Sequence, residues 1–269
     1  MKLYYLVRNV LALAFILVAL FSSCSVVNVD ENENDNGDKN ATSAFYYAVE
    51  ITDQYALEVI NLNGEIIVSG SDETDSVRVS GKRIAKAKTQ AAANDALDEI
   101  SVTVTSTDTK VSIRTEQPNS ENGVSYQVDY EILIPKNWIV NVTNMNGLIK
   151  VERIENTVAV QNMNGDVEID QIKASTSVGL LNGKISANIE LPVDGNCELS
   201  TINGTIALDV PITTSAILKA NVINGTTSLS GLTLNDMTQT IRQIEGKLGD
   251  GRGSITLSVT NGIITINGY

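Results

Sequence analysis

The groups in this chain that could do chemistry are carboxylates and little else. Glu152 and Asp170 each stand six residues after the Asn of an Asn-Gly pair, so they are neighbours on adjacent repeats, and Asp166 and Glu168 share their outward face. Two acids held close can divide general-acid and general-base work, which is how β-helix enzymes that act on polysaccharides use them. The alternative, a solvated acidic face that keeps a repeat protein soluble, is the one expected, so the chain is not expected to be an enzyme. There is no His, which removes His bases, Ser-His triads and His metal ligands together. Cys197 lies in a row otherwise held by Leu57, Val140, Val158, Thr176, Leu218 and Ile255, which suits a buried small side chain rather than a nucleophile. Ser71 to Asp75 and Asp250 offer oxygens for calcium, but in neither an EF-hand nor a calcium-repeat spacing. No phosphate loop, dinucleotide fingerprint or Cys-x-x-Cys pair occurs. No catalytic residue, metal or cofactor is expected.

What must position any surface is a repeat. Asn-Gly recurs at Asn63-Gly64, Asn146-Gly147, Asn164-Gly165, Asn182-Gly183, Asn203-Gly204, Asn224-Gly225 and Asn261-Gly262, with steps of 18, 18, 21 and 21 residues between Asn146 and Asn224. Four residues before each Asn stand Val59, Val142, Val160, Val178, Leu199, Ala220 and Leu257. Three residues after stand Ile66, Ile149, Val167, Ile185, Ile206, Thr227 and Ile264. Alternation on both sides of each Asn means two strands per repeat, each with one buried face. The residue before each Asn is mostly apolar and the residue after each Gly mostly polar, so the two are expected to point to opposite sides. That argues against a two-residue hairpin, whose flanking residues share a face. The Asn-Gly pairs are expected to be structural corners, Asn and Gly both tolerating the left-handed conformation a corner can require, with the Asn side chains hydrogen-bonded in a ladder. The fold expected is all-β: a single-chain β-solenoid, β-helix or β-roll in type, with coils of about 18–21 residues.

The first residues read as an address. Lys2 and Arg8 precede an unbroken apolar run of 12 residues, Val10 to Phe21, the length of a signal-peptide core rather than a membrane span. Phe21-Ser22-Ser23-Cys24 resembles the lipobox of bacterial lipoproteins, with Phe where Leu is usual. That resemblance implies cleavage after residue 23, acylation of Cys24 with diacylglyceryl and palmitate, and an anchor in the cell envelope. Ser25 rather than Asp at the next position implies the outer membrane. The formal charge of −13 becomes about −15 once Lys2 and Arg8 are removed. Such a chain is a poor partner for nucleic acid.

The expected organisation is a signal peptide at 1–23, a disordered acidic tether at 24–44, a leading section at 45–137 with a helix near 85–100, and the regular array at 138–269. The array carries a loop insertion at 232–253. The leading Asn-Gly unit, the helix-containing insert, Val128 to Pro135, the array, and Leu248-Gly249-Asp250-Gly251-Arg252-Gly253 before a last Asn-Gly together resemble the bacterial putative-adhesin β-strand-repeat family, a domain of unknown function. The resemblance spans roughly residues 45–268 and implies a β-solenoid and a surface protein. It carries no catalytic residues across.

The function expected is a non-enzymatic, lipid-anchored envelope protein that binds a surface protein or a glycan. The alternatives are an envelope-stress or ligand sensor and a polysaccharide-acting β-helix enzyme. Stacked coils would align Thr143, Gln161, Gly179, Ser200 and Asn221, three residues before each repeat Asn, into a flat uncharged strip. Such a strip loses less on desolvation than a charged one, so Thr143, Gln161, Ser200 and Asn221 are the binding candidates. The 232–253 insertion is the competing contact site.

Overall fold

The computed structural model describes residues 37–269. The signal segment, Cys24 and most of the acidic stretch lie outside the described residues.

The described residues hold 17 strands and one helix. The leading section contains β1 (Lys39–Glu50), β2 (Ala56–Ile60), β3 (Ile66–Ser71), β4 (Ser76–Ala87), α1 (Gln90–Asp98), β5 (Ser101–Ser106), β6 (Lys110–Glu116) and β7 (Ser125–Pro135). The array contains β8 (Ile139–Asn146), β9 (Ile149–Glu152), β10 (Val158–Asn164), β11 (Val167–Ile172), β12 (Thr176–Ile189), β13 (Asn196–Val210) and β14 (Ala216–Ser230). The chain ends with β15 (Asn235–Gln239), β16 (Gln243–Leu248) and β17 (Gly253–Gly268). The described residues are all-β with one short helix.

The array pairs in parallel and in register. Val142 lies beside Val160, Val160 beside Val178 and Val178 beside Leu199 on one side of the corners. Ile149, Val167, Ile185 and Ile206 form the matching row on the other side. β12, β13, β14 and β17 run without a break through Asn-Gly, so both sides belong to one 17-stranded sheet. The sheet bends at each Asn-Gly and nearly closes, barrel-like, around one core; it is continuous rather than a row of separate coils. Both inward rows are buried, and each fully buried Val, Leu or Ile contributes roughly 1.5–3 kcal/mol.

The bend has a simple origin. In β12 the buried residues are Thr176, Val178 and Leu180 before the corner, and Ile185, Ala187 and Ile189 after it. The inward phase switches from even to odd, which a period-2 strand cannot do unless the chain rotates at the Asn-Gly. Gly204 shows why Gly is needed there. Its φ is +153°, and a Cβ on it would sit 1.7 Å from the carbonyl oxygen of Gly183. The same phase switch corrects the expectation for the flanking residues. Met145, Met163, Ile202 and Ile223, each just before an Asn, are 43%, 44%, 46% and 63% exposed. They and the residues after Gly all point outward, because the inward position is the one two residues before each Asn.

The ends depart further from the sequence reading. β1 begins at Lys39, inside the stretch expected to be tether, because Ala41 and Ser43 alternate inward and the strand pairs antiparallel with all of β4, Lys39 opposite Ala87. The helix begins only at Gln90: Ala85-Lys86-Ala87 alternates buried and exposed and continues β4. Thr89 caps α1, its side-chain oxygen accepting the N–H of Ala92 at 3.2 Å, and Ala93, Ala96 and Leu97 are its buried residues. The 232–253 insertion is a hairpin, not a loop: β15 pairs antiparallel with β16, and β16 with β14. Phe45 and Tyr130 close the leading end of the core, centroids 5.5 Å apart, over Gly81, which lies opposite both.

The order of the repeats is also not the order of the chain. β17 lies between β13 and β14 and pairs in parallel with both. The repeat expected to close the array at its end is inserted one place inward.

Candidate functional site

The corner asparagines form a single hydrogen-bonded file. Asn146 donates its side-chain N–H to Asn63 Oδ1 at 2.7 Å, Asn164 to Asn146 at 2.8 Å, Asn182 to Asn164 at 2.8 Å and Asn203 to Asn182 at 2.9 Å. Asn261 then donates to Asn203 at 2.8 Å and Asn224 to Asn261 at 2.9 Å. Asn63 ends the file by donating to the carbonyl oxygen of Tyr126 at 3.1 Å. The side-chain amides are thus occupied by one another, and each link locks one repeat to the next.

A second, inner row was not singled out from the sequence. Asn61, Asn144 and Asn162 stand two residues before their corners, at the inward position, and are 3%, 2% and 5% exposed. Asn144 donates to the carbonyl oxygens of Gly64 at 2.9 Å and Asn146 at 3.1 Å, and Asn162 to that of Gly147 at 2.9 Å. They tie each corner backbone to the core side. The signal was available as Asn-x-Asn-Gly in three of the repeats.

The outward strip exists, with one member added. Thr143 lies beside Gln161, Gln161 beside Gly179 and Gly179 beside Ser200. Ser258 of β17 follows, and only then Asn221. Thr143, Gln161 and Asn221 are exposed and Ser200 is half-buried. The amide of Gln161 lies across Gly179, where a Cβ would meet its Oε1 at 2.4 Å. The strip is bordered by the exposed apolar row before the corners. Where β17 enters, its small Ser258 and Thr260 leave a groove of about 340 Å³ walled by Ile202 and Ile223, with Ser200 and Asn221 on its rims.

The acids are differently placed. Glu152 and Asp170 are opposite each other on β9 and β11. Glu152 accepts from Ser69 Oγ at 2.9 Å, pairs with Lys150 at 3.0 Å and also pairs with Arg153. Burial pushes its carboxyl up, but the hydrogen bonds from Lys150 and Ser69 and the charge of Arg153 outweigh this and hold it below the usual carboxylate range. A carboxylate so fixed is a poor proton donor. Cys197 is buried, and burial pushes its thiol up to about 12. Among the described residues no group of three or more His, Cys, Asp or Glu side chains is placed to hold a metal.

No family model and no curated protein matches this chain. Solved structures do resemble it. A putative cell adhesion protein from Clostridium sporogenes aligns over 85% of this chain and all of its own, at 14% identity and a TM-score of 0.46. A putative adhesin from Bacteroides fragilis aligns over 84% of this chain and 97% of its own, at 8% identity and a TM-score of 0.32. A putative adhesin from Parabacteroides distasonis aligns over 83% of this chain and 97% of its own, at 9% identity and a TM-score of 0.22.

Proposed function

We propose that the chain is a non-enzymatic, lipid-anchored protein of the bacterial cell envelope, of adhesin type, in which two-strand repeats stack as a β-solenoid and present an extended outward surface for binding. The observation that carries this reading is the uncharged strip from Thr143 to Asn221, outward and held in register by the asparagine file. The parallel pairing of residues 18 or 21 positions apart supports the solenoid description. The lipid anchor at Cys24 and the outer-membrane address rest on the sequence. The immobilised Glu152 supports a non-enzymatic role, because the acid best placed to work with Asp170 is already engaged by two cations.

The test has two parts. Labelling of the full chain with a palmitate analogue in a bacterial host should disappear on Cys24→Ala; labelling that survives rules out the anchor. Adhesion of cells bearing the chain should fall on Gln161→Lys with Ser200→Lys, with circular dichroism unchanged. Adhesion equal to the parent's excludes the strip as the contact surface.

A further inference from the structure

The β1–β4 ladder has a charge balance opposite to that of the molecule. It carries Lys39, Arg78, Lys82, Arg83 and Lys86 against Glu50 alone, a balance of +4 in a chain of −13. Arg83 is used internally, donating to Ile100 O at 3.0 Å and Ser43 Oγ at 3.1 Å. Arg78, Lys82 and Lys86 are exposed, every fourth residue along the outward face of β4, so about 13 Å apart at a rise of ~3.3 Å per residue. Among the described residues, neither Arg78 nor Lys82 takes part in an ion pair. Lys86 already holds a carboxylate, that of Asp38 at 3.5 Å.

What flanks this row narrows the ligand. The outward positions of β1 are Asn40, Thr42, Ala44, Ala48 and Glu50, uncharged except for Glu50 at the strand's end, with one large ring, Tyr46, 49% exposed. Tyr46 lies opposite Ser80, midway between Arg78 and Lys82, so the ring stands between two unpaired cations. On the other flank β7 supplies Asp129, Glu131 and Leu133. Asp129 is engaged by the N–H of Glu65 at 2.9 Å and by Gln127 at 2.8 Å, which leaves Glu131 as the unengaged acid of β7. A groove of about 380 Å³ runs between Tyr46, Arg78 and Ser80 on one side and Ile67, Glu131 and Leu133 on the other.

We infer that this face of β1 and β4 binds an acidic, carboxylate-bearing polysaccharide, with carboxylates on Arg78 and Lys82 and a sugar ring against Tyr46. Arg and Lys heads without partners favour anions by charge and by charge-assisted hydrogen bonds. A Tyr ring gives an apolar platform for the C–H face of a sugar, and Ser80 and Glu131 can bond to its hydroxyls. A polyanion without sugar rings would use the cations and leave Tyr46 idle. The inference rests on the surface-binding reading above and names a ligand class for it, at a surface other than the uncharged strip.

The test uses the full chain and three immobilised polymers: polygalacturonate, the same polymer fully methyl-esterified, and polyphosphate. Polygalacturonate should bind, more weakly as salt is raised, and the esterified polymer should not. Arg78→Glu with Lys82→Glu should lower that affinity by at least about tenfold. Tyr46→Ala should lower it several-fold while leaving polyphosphate binding unchanged. Binding by the charge variant equal to the parent's, or indifference to Tyr46→Ala, overturns the proposal. If the charge variant binds polygalacturonate like the parent while cells bearing the parent chain adhere, the ligand assignment is wrong and the wider surface-binding reading stands. If the parent captures no polymer and adheres to no surface, both fall.

Discussion

Asn261 donates its side-chain N–H to Asn203 at 2.8 Å, 58 residues earlier in the chain, and accepts from Asn224 at 2.9 Å. The last repeat therefore stands between two earlier ones, and β13 and β14 meet only through β17. Ending the chain at Arg252 would remove an internal strand rather than an end cap, leaving two buried rows open. The expected result is loss of the cooperative urea transition. A truncated chain that unfolds in one transition with the parent's denaturant dependence would show that β13 and β14 can pair directly.

The asparagine file should be weakest at its ends. Asn182→Ala removes a donor to Asn164 and the acceptor for Asn203, so it should cost about 1–3 kcal/mol. Asn224→Ala breaks only the exposed link to Asn261 and should cost less than about 1 kcal/mol. Equal losses in urea unfolding would mean that the links do not act as a file.

Val160 and Gln161 are chain neighbours on opposite faces, the first fully buried and the second exposed. Val160→Asp places an unpaired charge in the core row and should destabilise by several kcal/mol, of order 3–5. Gln161→Asp should change stability by no more than about 0.5 kcal/mol. Similar effects would put the inward phase of β10 in error.

Cys197 should be inert in the native protein. With its thiol pushed up to about 12 by burial, almost no thiolate exists at neutral pH and no reagent reaches it. Peptide mapping after iodoacetamide treatment should find Cys197 unmodified until denaturant is added. Modification at the native rate of a free thiol would contradict its burial.

Acid should weaken the fold through Glu152. Its carboxyl is held below the ordinary value of 4.5, so its contribution is present above that value and is lost as pH falls through the folded-state value. Glu58 has the same sign, held down by hydrogen bonds from Lys110 and Ser112. The fall in urea midpoint below pH 4.5 should be shallower for Glu152→Gln than for the parent. An unchanged slope would mean that the Lys150 and Arg153 pairing adds nothing at this site.

The inward rows and the corners were legible in the sequence because parallel in-register stacking makes long-range neighbours equivalent in local pattern. Val142, Val160, Val178 and Leu199 share a spacing from their Asn, so finding one row finds them all. The polar strip followed from the same arithmetic. The strand at Ala85–Ala87 was hidden because alternating Ala and Lys is compatible with helix as well as strand, and only pairing with β1 decides between them. The order of the repeats was hidden for a deeper reason. Every array strand edge presents much the same Asn, Gly and apolar residues, so the local pattern cannot say which edge meets which. That was decided in three dimensions: β16 covers the outer edge of β14 along Ala216–Asn221, and β17 takes the place between β14 and β13, where it pairs along both of its edges. The basic face of β4 emerged in the same way, because its cations form a row only once the strand is known to run unbroken to Ala87, with Tyr46 set against its middle.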